Sequence, residues 1–217
     1  MAWGKNQPQN WSLNAVYETT RILSFTTKAQ SFYKLVLLPR VRDYISKYQE
    51  LHYLLFQSLG RASLVPQAFF DGIVFPLCES GTCTVREAVY VGSILEGIFI
   101  PPLVHSSALS KLASMEHSGT ISYFIKILLE KEPDLPDPNP DPAVNALMDH
   151  FMKFLTETRQ LPVLWHRTLL AFVHRYKNQL QDQDKDRLMV LLQKHESQSA
   201  GSLMDFLRDI INELNDI

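Results

Sequence analysis

The chain has 217 residues, 46% of them hydrophobic and 20% charged, with a formal net charge of −2. Such a composition suits a folded chain with a sizeable core and excludes a mainly disordered one. No apolar stretch approaches the roughly 18 residues of a membrane-spanning helix, and with two cysteines and no basic-then-apolar leader a reducing compartment with free thiols is expected.

Residues 1–10 read as a polar lead-in. Beyond them, apolar residues recur at three- and four-residue spacing and no alternating run is bounded by hairpin turns, so the fold class is all-α with no sheet. Val16, Thr19, Thr20 and Leu23 form the first stripe. Phe32, Leu35 and Val36 form a second, and Val41, Ile45 and Tyr48 a third. Pro39 is expected to break the chain between these two, because proline lacks the N–H and clashes with the preceding turn. Leu51, Leu54, Leu55 and Leu59 carry a helix as far as Gly60. Pro66, Pro76, Pro101, Pro102, Pro136, Pro138, Pro140, Pro142 and Pro162 punctuate the rest into segments of roughly 10–18 residues, which makes about a dozen helices. One start is written plainly: Thr84 and Glu87 have the Thr-x-x-Glu spacing of a capping box.

Ala88 to Phe99, Ile121 to Leu129 and Val163 to Val173 are apolar on most faces, so each needs neighbours on both sides. That favours an irregular α-solenoid of stacked antiparallel helices, HEAT- or armadillo-like, although no clean internal repeat period is present. Residues 132–142 are acidic and proline-rich and cannot be helical. They read as a connector inside a single helical domain spanning 11–217, with Asp141 and Pro142 starting the helix that runs to about Thr158. A final helix, about Gly201 to Asn215, carries Leu203, Phe206, Leu207, Ile210, Ile211 and Leu214 on a broad apolar face that calls for docking of some kind.

Chemistry-bearing patterns are sparse. Cys78 and Cys83 supply two thiols where a structural zinc site needs four ligands, and no second pair follows at finger-like spacing, so no metal is expected. Ser80, Ser106 and Ser107 lack a Gly-x-Ser-x-Gly elbow, and neither a phosphate loop nor a dinucleotide fingerprint appears. Glu130 with Glu132, and Asp182, Asp184 and Asp186, fall in polar termini or loops and read as solvated. The reading is of a non-enzyme without a cofactor. Trp165 admits two accounts, an exposed anchor for a partner segment or a core ring; Leu161, Leu164, Leu169 and Phe172 around it favour the core.

Charge is strongly segregated. Residues 1–70 carry eight Lys/Arg against three acids, and residues 132–158 one Lys against six acids. Within the first block Lys34, Arg40, Arg42, Lys47 and Arg61 are the candidates for phosphate contact, since such contacts depend on the potential of one face rather than on net charge. Arg159, Arg167, Arg175 and Lys177 form a second basic cluster, with Arg167 and Arg175 two turns apart on one helix face. The competing account is a solvated face with internal ion pairs to Glu18, Asp43 and Glu50.

Three strings in order carry a resemblance: Phe32-Tyr33-Lys34-Leu35-Val36-Leu37-Leu38-Pro39-Arg40-Val41-Arg42-Asp43, then Phe75 to Ala88 with Cys78-Glu79-Ser80-Gly81-Thr82-Cys83 at its centre, then Leu161-Pro162-Val163-Leu164-Trp165-His166. From about Trp11 to about Leu192 the chain resembles the bystin family of small-ribosomal-subunit assembly factors. The resemblance implies an irregular α-solenoid without catalytic activity that scaffolds small-subunit precursor rRNA and the proteins of the subunit head and beak. It also implies residence in the nucleolus and nucleus with passage to the cytoplasm on precursor particles, and a largely disordered assembly factor of the low-temperature-viability type as neighbour. Family members usually carry a long polar extension ahead of the helices, which this sequence does not include. The alternative function is a general helical protein–protein adaptor in cytoplasmic adhesion-type complexes, with no RNA role.

Overall fold

The computed structural model describes residues 10–131 and 141–196, and beyond them residues 209, 210 and 212. Among the described residues the chain is all-helical with no strand, and joining segments that run on without a break gives ten helices. These are α1 (Leu13–Leu23), α2 (29–48), α3 (Tyr53–Ala62), α4 (66–79) and α5 (Val85–Gly97), then α6 (Pro102–Ser114), α7 (Gly119–Glu130), α8 (Ala143–Met152), α9 (Val163–Tyr176) and α10 (Asp182–Glu196). They fall into two compact units, Met1–Val104 and His105–Ile217. The 132–140 part of the expected connector lies outside the described residues, as does most of the expected final helix; of the latter's apolar face, Ile210 is described and is buried.

In the first unit α1 begins at Ser12, whose hydroxyl accepts from the Ala15 N–H, and packs along α3. The expected break at Pro39 does not occur. Helix α2 runs through it because a π-helical turn, Tyr33–Leu37, lies directly upstream. There the Leu38 N–H donates to the Tyr33 carbonyl, five residues back, and the widened turn makes room for a ring that an ordinary α-turn would exclude. The same device recurs in α4, where the π-turn Phe70–Val74 precedes Pro76 and the Phe75 N–H donates to the Phe70 carbonyl.

These two wide turns pack against each other. At their crossing is Gly72: a β-carbon there would lie 2.7 Å from the Tyr33 Cβ and 2.9 Å from the Gln30 carbonyl oxygen. Phe32, Tyr33, Leu37, Phe69, Phe70 and Leu77 fill the surrounding core, all fully buried. Leu35, placed in an apolar stripe by spacing alone, is exposed because it lies inside the π-turn, which shifts the helical phase; Tyr48 is exposed at the last turn of α2, although Val41 and Ile45 of its stripe are buried.

In the second unit the packing is layered. The Thr168 hydroxyl donates to the Ser122 carbonyl and Arg175 to that of Leu129, so α7 and α9 run parallel. Helix α8 runs against α9: its capping Asp141 accepts from the Tyr176 hydroxyl at 2.6 Å at one end, and Phe151 meets Trp165 at the other. Asp141 also accepts from the Ala143 N–H, starting α8 where expected, although α8 ends at Met152 and a 3-10 turn, Lys153–Thr156, follows. Trp165 is 1% exposed, with its ring centroid 5.3 Å from that of Phe154 and 5.4 Å from that of His195. The exposed-anchor account of Trp165 is therefore overturned; the indole is a keystone between α8, α9 and α10.

Several histidines share this interior. His105 donates from Nε2 to the Leu128 carbonyl and His150 from Nδ1 to that of Ala113, which fixes their tautomers because a carbonyl only accepts. Burial pushes His105, His117, His166 and His195 below the ordinary imidazole range and His150 down to about 4.

Replacing Gly72 by alanine should cost about 2–3 kcal/mol, despite alanine's better helix propensity, because backbone and core must shift by tenths of an ångström; urea unfolding measures it. Acid should weaken the fold in a defined window. The unfolded chain protonates His150 near pH 6.5 while the folded one does so near 4, so stability is fully present above 6.5 and falls as pH drops towards 4. His150 alone accounts for on the order of 3 kcal/mol. Unfolding midpoints between pH 7.5 and 4.5 should show this slope, and His150→Phe should flatten it by close to one proton.

Candidate functional site

Two arginines of the first basic series face inward. The Arg42 guanidinium donates from Nε to Glu87 Oε1 at 2.8 Å and from Nη2 to the Thr82 carbonyl and hydroxyl at 3.0 and 2.9 Å. Glu87 is buried and does two things at once: its other oxygen accepts from the Thr84 N–H at 2.7 Å, while the Thr84 hydroxyl accepts from the Glu87 N–H. The capping box expected from spacing is present, and the partner of Arg42 is its glutamate rather than Glu18, Asp43 or Glu50. Arg40 donates to the Trp11 carbonyl. For Arg42 in particular, a structural role replaces free phosphate contact, because desolvating the guanidinium beside a buried carboxylate occupies its fork.

Lys34, Lys47 and Arg61 are exposed and make no ion pair among the described residues. In the second cluster Arg159 pairs with Glu157 at 3.0 Å. Arg175 donates from Nη1 to the Leu129 and Lys131 carbonyls at 3.2 and 2.7 Å, closing the C-terminal end of α7, where the carbonyl oxygens lack helical donors. Arg167 is exposed and Lys177 half-buried. Arg167 and Arg175 therefore do not present one shared face.

The turn from α2 to α3 adds residues that charge counting misses. Tyr44 and Tyr48 lie one turn apart with ring centroids at 4.4 Å; His52 stands 5.7 Å from Tyr44, and Tyr53 4.8 Å from His52. Tyr48 is 51% and Tyr53 64% exposed, which leaves ring faces open to solvent, and the Lys47 ammonium sits 5.1 Å from the Tyr48 ring centre. The corner is held from α5. Arg86 donates to the Gln49 carbonyl at 2.8 Å, and the Leu51 N–H donates to the Tyr90 hydroxyl. Gln49 itself ends α2 in the left-handed region at φ 60°, and His52 Nδ1 accepts from the Leu54 N–H to start α3. The result is a rigid row of aromatic rings beside a lysine. Its signal in sequence was a tyrosine at i and i+4 followed by His-Tyr, of which Tyr48 alone was read, as part of an apolar stripe.

The Cys78 thiol is buried, and burial, reinforced by Cys83 and Glu79, pushes its pKa up to about 12, so it remains protonated and unreactive. Among the described residues no group of three or more His, Cys, Asp or Glu side chains is gathered as a metal would require, and no helix is long and apolar enough to cross a membrane.

A family model described as Bystin matches residues 5–213. Bystin of Arabidopsis thaliana is 49% identical over 191 residues, covering 87% of this chain and 42% of the relative. Bystin of Homo sapiens is 48% identical over 189 residues, covering 86% and 42%, and that of Drosophila melanogaster 44% identical over 191, covering 87% and 43%. The chain thus spans about two fifths of the length of these relatives. Their names carry no enzymatic implication.

Replacing Glu87 by glutamine should cost about 2–3 kcal/mol, since its amide would face the Arg42 donor and leave a half-buried cation unpaired. Arg42→Ala should cost a similar amount, and the double variant about 1 kcal/mol or more less than the sum. Thermal and urea unfolding of the four proteins supply the cycle.

Proposed function

The chain belongs to the bystin family, and on that premise we propose that it is a non-catalytic helical scaffold of small-ribosomal-subunit assembly that binds precursor rRNA. It acts by holding RNA and subunit-head proteins in one intermediate geometry, stabilising that geometry by mass action until it is superseded. The observation that supports RNA as ligand is the pinned corner of Tyr44, Tyr48, His52 and Tyr53 with Lys47 beside it. Open aromatic faces next to a cation suit unpaired bases, which stack, and their phosphates, which pair. Lys34, exposed on the same helix as Lys47, supplies further positive potential; in the second cluster Arg159 and Arg167 are exposed, Arg159 being paired with Glu157. Partners on this reading are small-subunit precursor rRNA, head ribosomal proteins and a disordered assembly factor of the low-temperature-viability type. The setting is the nucleolus and nucleus, with passage to the cytoplasm on precursor particles.

Crosslinking on native ribosomal precursors tests the reading in place: crosslinks from the corner to small-subunit rRNA are expected. In solution, Lys34→Glu with Lys47→Glu should weaken single-stranded RNA binding roughly tenfold and lower the salt slope by about 0.7 for each phosphate no longer neutralised. Tyr48→Ala with Tyr53→Ala should weaken it by a similar factor. RNA affinity that ignores salt and both double variants would leave the protein–protein adaptor as the better account.

A further inference from the structure

The first unit has a second surface feature, further along α3 than the tyrosine corner. Helices α1, α3 and α5 leave an open groove of about 320 Å³. Its walls are Tyr17 from α1, Phe56, Gly60 and Arg61 from α3, Leu64 just beyond, and Ile94 from α5. Phe56 and Leu64, about two turns apart on α3 and just beyond it, keep 38% and 51% of their surface exposed and so present apolar surface to a ligand. Gly60 leaves the floor open: a β-carbon there would lie 4.0 Å from Ile94 Cδ1, an ordinary contact, so nothing in the packing demands glycine. A glycine inside a helix costs about 1 kcal/mol relative to alanine, and here it preserves space.

Charge selects the occupant. The Arg61 guanidinium is exposed at the rim and makes no ion pair or side-chain hydrogen bond among the described residues. On α1, one turn after Tyr17, Arg21 is paired with Glu18 at 2.8 Å and adds no net charge, so the selecting cation is Arg61. Apart from Arg61 the groove offers few groups for polar pairing, mainly Gln57 and the Tyr17 hydroxyl, which is little for a ligand that needs donors and acceptors. An aliphatic or phenyl side chain needs none. We propose that this groove binds an acidic–apolar peptide segment of a partner protein, with one large apolar side chain seated among Phe56, Leu64 and Ile94 and a carboxylate about one turn away paired with Arg61. The site stands whether or not the tyrosine corner binds RNA.

The test uses the full 217-residue chain, isotope-labelled for amide NMR. The probe is a seven-residue alanine-based peptide with a central phenylalanine and glutamates three residues to either side, at millimolar concentration. Its addition should move the amides of Tyr17, Phe56, Gly60, Leu64 and Ile94 and leave those of Tyr44, Tyr48 and Tyr53 in place. Gly60→Met, which fills the groove from its floor and keeps the thermal midpoint equal or higher, should abolish the shifts. Arg61→Glu should weaken the acidic peptide about threefold and favour a lysine-substituted version by a similar factor, the size of one exposed ion pair. Equal binding of acidic and lysine peptides would overturn the proposal. So would persistence of the shifts in Gly60→Met, or movement of these amides by single-stranded RNA while the peptide leaves them still.

Discussion

A single buried carboxylate organises the first unit. Glu87 closes the N-terminal end of α5 with one oxygen and holds the Arg42 guanidinium of α2 with the other. Arg42 in turn grips the Thr82 carbonyl ahead of α5. A charge withdrawn from water this far is tolerated only when its lone pairs are filled, and here a helix end and a cation fill them together. Everything that the α2–α3 corner offers follows from that fixed relation of α2 to α5. Arg86 lies one residue before the carboxylate and Tyr90 three after it, and both reach the backbone of the link that carries the tyrosines.

The basic side chains divide the work in a way that net charge conceals. Arg40, Arg42, Arg86 and Arg175 all donate to main-chain carbonyls far away in sequence. A flat guanidinium can serve two acceptors and is weakly hydrated, so it suits half-buried stitching; Lys34 and Lys47 stay outside, whereas Lys153 and Lys194 also reach main-chain carbonyls, those of Ala113 and Leu155. The second unit reaches rigidity by another route, filling its interior with Trp165, Phe151, Phe154 and neutral histidines whose protons are committed to carbonyls.

Much of this was legible beforehand, for identifiable reasons. Capping is local, so Thr84 and Glu87 named their own partnership, and Asp141 named the start of α8. Helical spacing settled the class. Proline misled, because its usual effect on a helix assumes an α-turn upstream, and a π-turn before Pro39 and Pro76 removes the clash. The candidate cations were assigned from composition, which cannot tell a guanidinium aimed at Glu87 from an ammonium aimed at solvent; that depends on contacts 45 residues apart. The aromatic corner was hidden differently. Tyrosine counts towards an apolar stripe in any periodicity argument, yet Tyr48 and Tyr53 use the outward half of their amphipathic character.

The paired π-turns bear on how this fold tolerates change in length. Each is the trace of one surplus residue accommodated inside an α-helix, and the two meet across Gly72, so neither can be trimmed without the other noticing. Dropping one residue from Tyr33–Leu37 would restore regular winding and rotate the remainder of α2 by about 100° about its axis. Arg42 would then swing away from Glu87, and the rings at 44 and 48 would turn with it. The working surface of this unit is thus set by a counting irregularity in its core, and lineages free to vary every exposed side chain would still have to keep the tally.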